Sequence, residues 1–265
     1  MASAYFVSDL HLTAADDRRS LLFLQFLRDV AAREDTTHLV LLGDIFDMWL
    51  GDHDYFKSRF KDIVQALADI AASDVELLYF EGNHDLHLRP FWQDELGARV
   101  HADPVTLIIG GKRLRLEHGD QMDPDDRGYH FLRWFLRTPP LRWIILNLPG
   151  SVVGRIGERA SAHSRSYTST TKTISQERAI EKIRSHAARM REQESFDLLI
   201  SGHVHVRDDK IIETANGSAR SINLGTWLDR PCYLQLSDGN LRWVELSETD
   251  VAQSVAHANA DQNHP

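Results

Sequence analysis

A 265-residue chain with thirty Lys plus Arg, thirty-nine Asp plus Glu and a formal net charge of −9 is neither collagen-like, coiled coil nor globally disordered, because its 42% hydrophobic and 26% charged residues are the proportions of a globular protein. Its length suits one large α/β domain, or one domain carrying an insertion, better than two equal domains. The acidic balance disfavours nucleic acid as a partner, since the one basic region is interleaved with aliphatic side chains and is not laid out as a phosphate track.

The chain opens Met-Ala-Ser-Ala-Tyr-Phe-Val-Ser-Asp. No basic residue precedes this apolar stretch, which ends at Asp9, so a signal peptide is not expected. Short apolar runs predict strands at Tyr5 to Val7, His38 to Leu42, Leu77 to Phe80, Leu114 to Glu117 and Leu198 to Ser201. Between the first two, Leu21, Leu24, Leu27 and Val30 predict an amphipathic helix from Ser20 to Arg33. Between the next two, Phe56, Phe60, Ile63, Val64, Leu67 and Ile70 predict another from Tyr55 to Ala72. Alternating strands and helices argue for an α/β layered fold whose ligands sit off the carboxyl ends of the strands.

From Gln121 to Met190 the strand signal stops, and twelve Lys or Arg face six Asp or Glu, a net charge of +6 in an acidic chain. Residues 121–190 therefore read as a basic, aromatic-rich helical insert between core segments 1–120 and 191–246. An anionic ligand or an anionic membrane surface would account for the charge, and a solvated helical face is the alternative. Its most apolar stretch, Leu141 to Ile156, is broken by Asn147 and Pro149 and falls short of the roughly 18 apolar residues of a membrane span. The polar tail 247–265 is expected to be disordered. Cys232 is the only cysteine; it reads as a small buried hydrophobe and points to a cytosolic setting.

The five predicted strands end in Asp9-Leu10-His11, Gly43-Asp44, Gly82-Asn83-His84-Asp85, His118-Gly119-Asp120 and Gly202-His203-Val204-His205, all expected at one edge of one sheet. Mixed imidazole and carboxylate donors suit Mn, Fe, Zn or Co better than Ca or Mg alone. Seven donors, Asp9, His11, Asp44, Asn83, His118, His203 and His205, exceed what one tetrahedral ion needs. They suffice for two ions sharing a carboxylate, a pair that can clamp phosphoryl oxygens and activate water. His53, His87, His101, His163 and His186 read instead as surface or loop histidines, and Asp123, Asp125 and Asp126 as an acidic turn or a substrate loop.

In this order Asp-x-His, Gly-Asp-x-x-Asp, Gly-Asn-His-Asp, His-Gly-Asp and Gly-His-x-His resemble the calcineurin-like metallophosphoesterases. That resemblance implies a four-layer sandwich, two mixed β-sheets flanked by helices, here with a helical cap insertion. It implies one metal on Asp9, His11, Asp44 and His205, a second on Asp44, Asn83, His118 and His203, and His84 as general acid oriented by Asp47. A non-catalytic binding module of this fold would lack donors, and all seven are present.

Residues 8–12, 43–52 and 118–129 carry a closer resemblance, over most of the chain, to the UDP-2,3-diacylglucosamine diphosphatases of Gram-negative lipid A synthesis. These Mn-dependent enzymes hydrolyse a pyrophosphate to UMP and a lipid 1-phosphate, and associate peripherally with the cytoplasmic face of the inner membrane. Their helical insert cups acyl chains. Here Trp134, Phe135, Trp143, Ile144, Ile145 and Leu148 suit a lipid groove, and Arg137, Arg142, Arg155 and Arg159 suit phosphates. The alternative is a hairpin covering the sheet with its apolar face. Asn83, Asp126, Ser164 and His203 fall on substrate-contact positions; Thr168 stands where the family has Asn, and Lys172 matches with one residue inserted. Three departures, His84 for Arg, Asp47 for Glu, and Val206-Arg207-Asp208 after Gly-His-Val-His, keep open an orphan branch acting on nucleotides or other small phosphoesters. The sequence sets no oligomeric state.

Overall fold

The computed structural model describes residues 2–150, 152–154 and 176–247. Six strands form one sheet: β1 (Ser3–Val7), β2 (Thr36–Leu41), β4 (Glu76–Phe80) and β6 (Arg99–His101) run parallel, and β12 (Cys232–Ser237) and β13 (Asn240–Glu245) extend it antiparallel on the β1 side. Five strands form a second sheet, with β8 (Lys112–Leu116), β9 (Leu198–Ser201) and β11 (Gly217–Leu224) parallel between antiparallel edges β7 (Val105–Ile109) and β10 (Arg207–Thr214). The expectation of a single sheet is therefore corrected: Glu117 and His118 leave one sheet, Asp9, Asp44 and Asn83 the other. Buried parallel strands carry the same unbroken apolar runs whichever sheet they join, so composition could not divide them.

Register fixes the layers. Phe6 pairs with Val40 and Val40 with Leu78, while Tyr5 pairs with Leu39 and Leu39 with Leu77. The first set meets Leu114, Leu116, Leu198 and Ile200 between the sheets. The second packs under α1 (Arg18–Ala31) and α3 (Lys61–Ala71) on the outer face. A one-residue slip would exchange the two sets. Each such side chain, fully withdrawn from water, contributes on the order of 2 kcal/mol. On the far face of the second sheet, Ala187 of α6 (Gln176–Gln193) and Phe196 pack on Leu199 and Ala219. Helix, sheet, sheet and helix thus make the four layers, and residues 176–190, grouped with the insert by charge, lie in an outer layer.

Two helix expectations need correction. The helix α1 starts where the Asp17 side chain accepts from Ser20 N at 2.8 Å, and it buries Leu22, Phe23, Phe26, Leu27 and Val30, whereas Leu21 faces solvent. The single helix expected from Tyr55 to Ala72 is two, α2 (Asp54–Arg59) and α3, because Phe60 leaves the helical region at φ −117°, ψ 33°. A two-stranded parallel ribbon, β3 (Trp49–Leu50) with β5 (Asp85–Leu86), joins the loops that follow β2 and β4.

Within the insert, α4 (Arg127–Leu136) and α5 (Pro139–Asn147) bury no residue of their own. Phe131, Leu132, Trp134, Phe135, Trp143 and Ile144 are exposed, Trp134 at 62% and Trp143 at 65%. These two helices are not a hairpin that covers the sheet with its apolar face. Among the described residues, no helix is long and apolar enough to cross a membrane.

Candidate metal centre

All seven donors meet where the two sheets present the carboxyl ends of β1, β2, β4, β8 and β9. Ligand atoms of Asp9, His11 and His205, of His11, Asp44 and His84, and of Asp44, His118 and His203 each lie within 4.8 Å of one another. Asp44 belongs to groups on both sides of the site, as a shared carboxylate must. Asn83 Oδ1 is 3.0 Å from His203 Nδ1 and 3.2 Å from His118 Nε2, so it joins the second group.

The backbone is strained to aim these groups. Asp9, His11, Asp44, His203 and His205 all have positive φ, from 48° to 68°, a left-handed conformation that L-residues adopt at a cost of roughly 1–2 kcal/mol each. Two glycines let the loops close: a Cβ on Gly82 would lie 2.1 Å from Asp44 Oδ1, and one on Gly202 would lie 2.2 Å from Asp9 Oδ2.

The donor set fits divalent cations. Asp9 is fully buried; its Oδ2 accepts from Ser8 Oγ at 2.5 Å and His203 N at 2.8 Å, and its Oδ1 faces imidazole nitrogens, His205 Nε2 at 3.2 Å and His11 Nε2 at 4.0 Å. A buried carboxylate oxygen and two imidazole nitrogens converging on one point form a donor group that a cation would satisfy. His118 Nδ1 donates to Leu42 O at 2.8 Å, which fixes the ring and turns Nε2 toward the other donors.

Charge is balanced inside the cluster. Burial opposes ionisation of Asp44, but His118, His84 and His11 hold its carboxyl below the usual carboxylate range. Burial also opposes protonation of His118, yet Asp44, Asp9 and Asp120 raise it to about 9. Burial lowers His11 to about 4, and burial together with His118 lowers His203 to about 4. The sign for stability follows from His118: a folded value above the unfolded one, about 6.5, stabilises fully below that pH and is lost as pH rises through about 9. Metal-free protein should therefore lose on the order of 3 kcal/mol between pH 6.5 and 9. Urea midpoints across that range in chelator check this; a flat profile would refute the His118–Asp44 pairing.

His84 shares a group with His11 and Asp44, and its Nδ1 donates to the backbone carbonyl of Asp47 at 2.8 Å. Asp47 contacts His84 through its main-chain carbonyl. Asp126 is exposed, with Oδ1 capping α4 through Tyr129 N at 2.9 Å. Ser164, Thr168, Lys172, Arg155, Arg159 and His163 lie outside the described residues.

Asp85 and Asp120, which close two of the strand-end motifs without being named as donors, position the site. Asp85, fully buried, accepts from Asp44 N and Ile45 N, both at 3.0 Å, from Gly82 N at 2.7 Å and from Tyr79 OH at 2.8 Å. Asp120 accepts from Tyr129 OH at 2.5 Å and Arg133 Nε at 3.0 Å, tying α4 to the His118 loop. Tyr129 brings its ring to 6.2 Å from that of His203. His53, His87 and His186, expected at the surface or in loops, are all buried. The reason is that each finds a polar partner: His53 and His87 donate to insert carbonyls, and His186 lies 2.5 Å from Glu117.

The chain is similar to proteins of known chemistry. UDP-2,3-diacylglucosamine hydrolase of Pseudomonas aeruginosa is 29% identical over 90% of this chain and 96% of its own, and that of Aeromonas hydrophila is 29% identical over 91% and 97%. A solved archaeal phosphodiesterase matches 92% of this chain and 99% of its own at 14% identity and a TM-score of 0.42. The calcineurin-like phosphoesterase family matches residues 3–207, the span that contains all seven donors and His84, and the chain belongs to that family of metal-dependent phosphoester hydrolases.

Proposed function

We propose that this protein is a two-metal hydrolase that cleaves the pyrophosphate of UDP-2,3-diacylglucosamine to UMP and 2,3-diacylglucosamine 1-phosphate. Asp9, His11, Asp44 and His205 would hold one ion, and Asp44, Asn83, His118 and His203 the other, both Mn2+, with Fe or Zn as substitutes. Bound there, such ions supply Lewis-acid stabilisation of phosphoryl charge and lower the pKa of the attacking water. The protein's own groups do the rest. Asp44 and Asp9 bring negative charge that favours cations, and their buried surroundings strengthen it. His84, fixed by the Asp47 carbonyl, keeps Nδ1 as a donor and leaves Nε2 to hold and deliver a proton to the departing phosphate oxygen. Asn83, His203, Asp126, Ser164, Thr168 and Lys172 are assigned to substrate contacts.

One observation carries the lipid reading: α4, tied through Asp120 to the His118 loop, exposes Phe131, Trp134 and Phe135 in contact with one another, and α5 exposes Trp143 and Ile144, apolar surface that water disfavours and acyl chains or the edge of a bilayer would cover. It favours peripheral attachment to the cytoplasmic face of the inner membrane. The second reading, an orphan enzyme for small phosphoesters, is favoured by His84, which stands where the diphosphatases carry Arg.

Mn-supplemented hydrolysis of UDP-2,3-diacylglucosamine beside its de-acylated analogue and a simple phosphodiester separates the two. Preference for the acylated substrate, with UMP and the lipid 1-phosphate as products, supports the first reading; turnover of the small ester alone supports the second. Replacing Trp134 and Trp143 with Ser should raise KM for the acylated substrate about ten-fold and leave the small diester unchanged. Equal loss on both substrates would remove the insert from the binding site.

A further inference from the structure

α4 and α5 bury none of their own residues, so apolar packing, as where Leu146 approaches Gly51 and Leu148 meets the core, holds them only in part. Polar contacts from the core reach their carboxyl ends. His87 Nε2 is 3.1 Å from Leu136 O, the last residue of α4, and His53 Nε2 is 2.9 Å from Ile145 O, in the last turn of α5. The last four carbonyls of a helix have no partner within it, and a carbonyl only accepts, so each imidazole carries its proton on Nε2 and donates. Arg137 adds a contact to Glu81 at 3.0 Å just past α4.

The two histidines come from linked places. His53 follows β3 and His87 follows β5, and these strands pair, Trp49 with Asp85 and Leu50 with Leu86. The same two segments carry Asp44 and Asp47 just before β3, and Asn83 and His84 just before β5. Both histidines are buried, at 9% and 6% exposure, and His87 sits at φ +58°, a conformation that persists only where the surroundings impose it.

From this geometry we infer that His53 and His87 are positioning residues: through the β3–β5 ribbon they hold the carboxyl ends of α4 and α5 at a fixed place relative to the donor loops, and so set which substrates the insert can grip. Burial lowers His87 below the ordinary imidazole range, against the pull of Glu81, in keeping with a neutral ring bearing one proton. The kinetic arm of the test rests on the proposed function, but the structural arm does not.

The experiment is deuterium exchange across residues 127–147 of the full-length, Mn-loaded protein, with His53→Leu, His87→Leu, the double Leu variant, and His53→Gln and His87→Gln, since Gln can still donate to a carbonyl. The Leu variants are expected to exchange about ten-fold faster in 127–147, with β1 and β2 unchanged, and the Gln variants to recover most of that protection. In the kinetic arm, KM for the acylated substrate should rise while kcat for bis(4-nitrophenyl) phosphate stays within two-fold. Unchanged exchange in the double Leu variant overturns the inference, as do Gln variants as loose as Leu, or loss of folding in all five. If the lipid is not turned over but exchange responds as expected, the proposed substrate fails and the anchoring role stands.

Discussion

Asp44→Ala is expected to abolish metal-dependent phosphoester hydrolysis, by at least about 1,000-fold in kcat. No other donor lies in groups on both sides of the centre, and none is offset by so many imidazoles: His118, His84 and His11 all lower its pKa. Its removal leaves His118 Nε2 without the carboxylate oxygen 3.6 Å away and His84 N without the oxygen it donates to at 2.9 Å. Hydrolysis of bis(4-nitrophenyl) phosphate with and without Mn2+, beside calorimetric titration of the ion, reads both losses. Activity that persists in the variant would end the shared-carboxylate account.

The second large effect is on stability. Asp85→Ala should destabilise the metal-free protein by about 3 kcal/mol or more, because three main-chain N–H groups and the Tyr79 hydroxyl would lose a buried acceptor, each unmatched group costing roughly 1–3 kcal/mol. Asp85→Asn tests the same point at constant volume: its amide offers one acceptor oxygen and turns two hydrogens toward donors. Burial and the negative charge of Asp44 push the Asp85 carboxyl up to about 6, so the residue is retained against an electrostatic cost. Urea unfolding of the two variants decides it, and wild-type midpoints would mean that the Asp44 loop holds itself. Metal affinity should fall with stability, because Asp85 fixes the main chain from which Asp44 projects.

What could be read from the sequence follows from where the information is stored. The donors were legible because each sits directly after an apolar run, so that residue type and strand end coincide at Asp9, Asp44, Asn83, His118 and His203. The division into two sheets was not, because Leu114 and Leu116 make the same kind of run as Leu39 and Leu41. The break at Phe60 was hidden by an apolar period that continues through it, and in α1 the three-residue spacing of leucines pointed to Leu21 and Leu24 where Leu22, Phe23 and Phe26 are buried beside Leu27 and Val30. Exposure of α4 and α5 was illegible for a related reason: an apolar stripe announces that something covers it, and not what. Asp85 reaches Asp44 and Ile45 some forty residues away, His53 reaches Ile145 and His87 reaches Leu136, and no local spacing encodes those partners.

The left-handed main chain at Asp9, His11, Asp44, His203 and His205 limits the alphabet from which this centre could be rebuilt. Asp, Asn and His are the non-glycine residues that enter that region most readily, and β-branched side chains are nearly excluded from it. Installing a thiolate set to favour a softer ion would therefore require recutting three loops, those after β1, β2 and β9, as well as exchanging side chains. An enzyme engineer would find greater freedom at Asn83 and His118, whose φ angles lie outside that region, than at any other donor position.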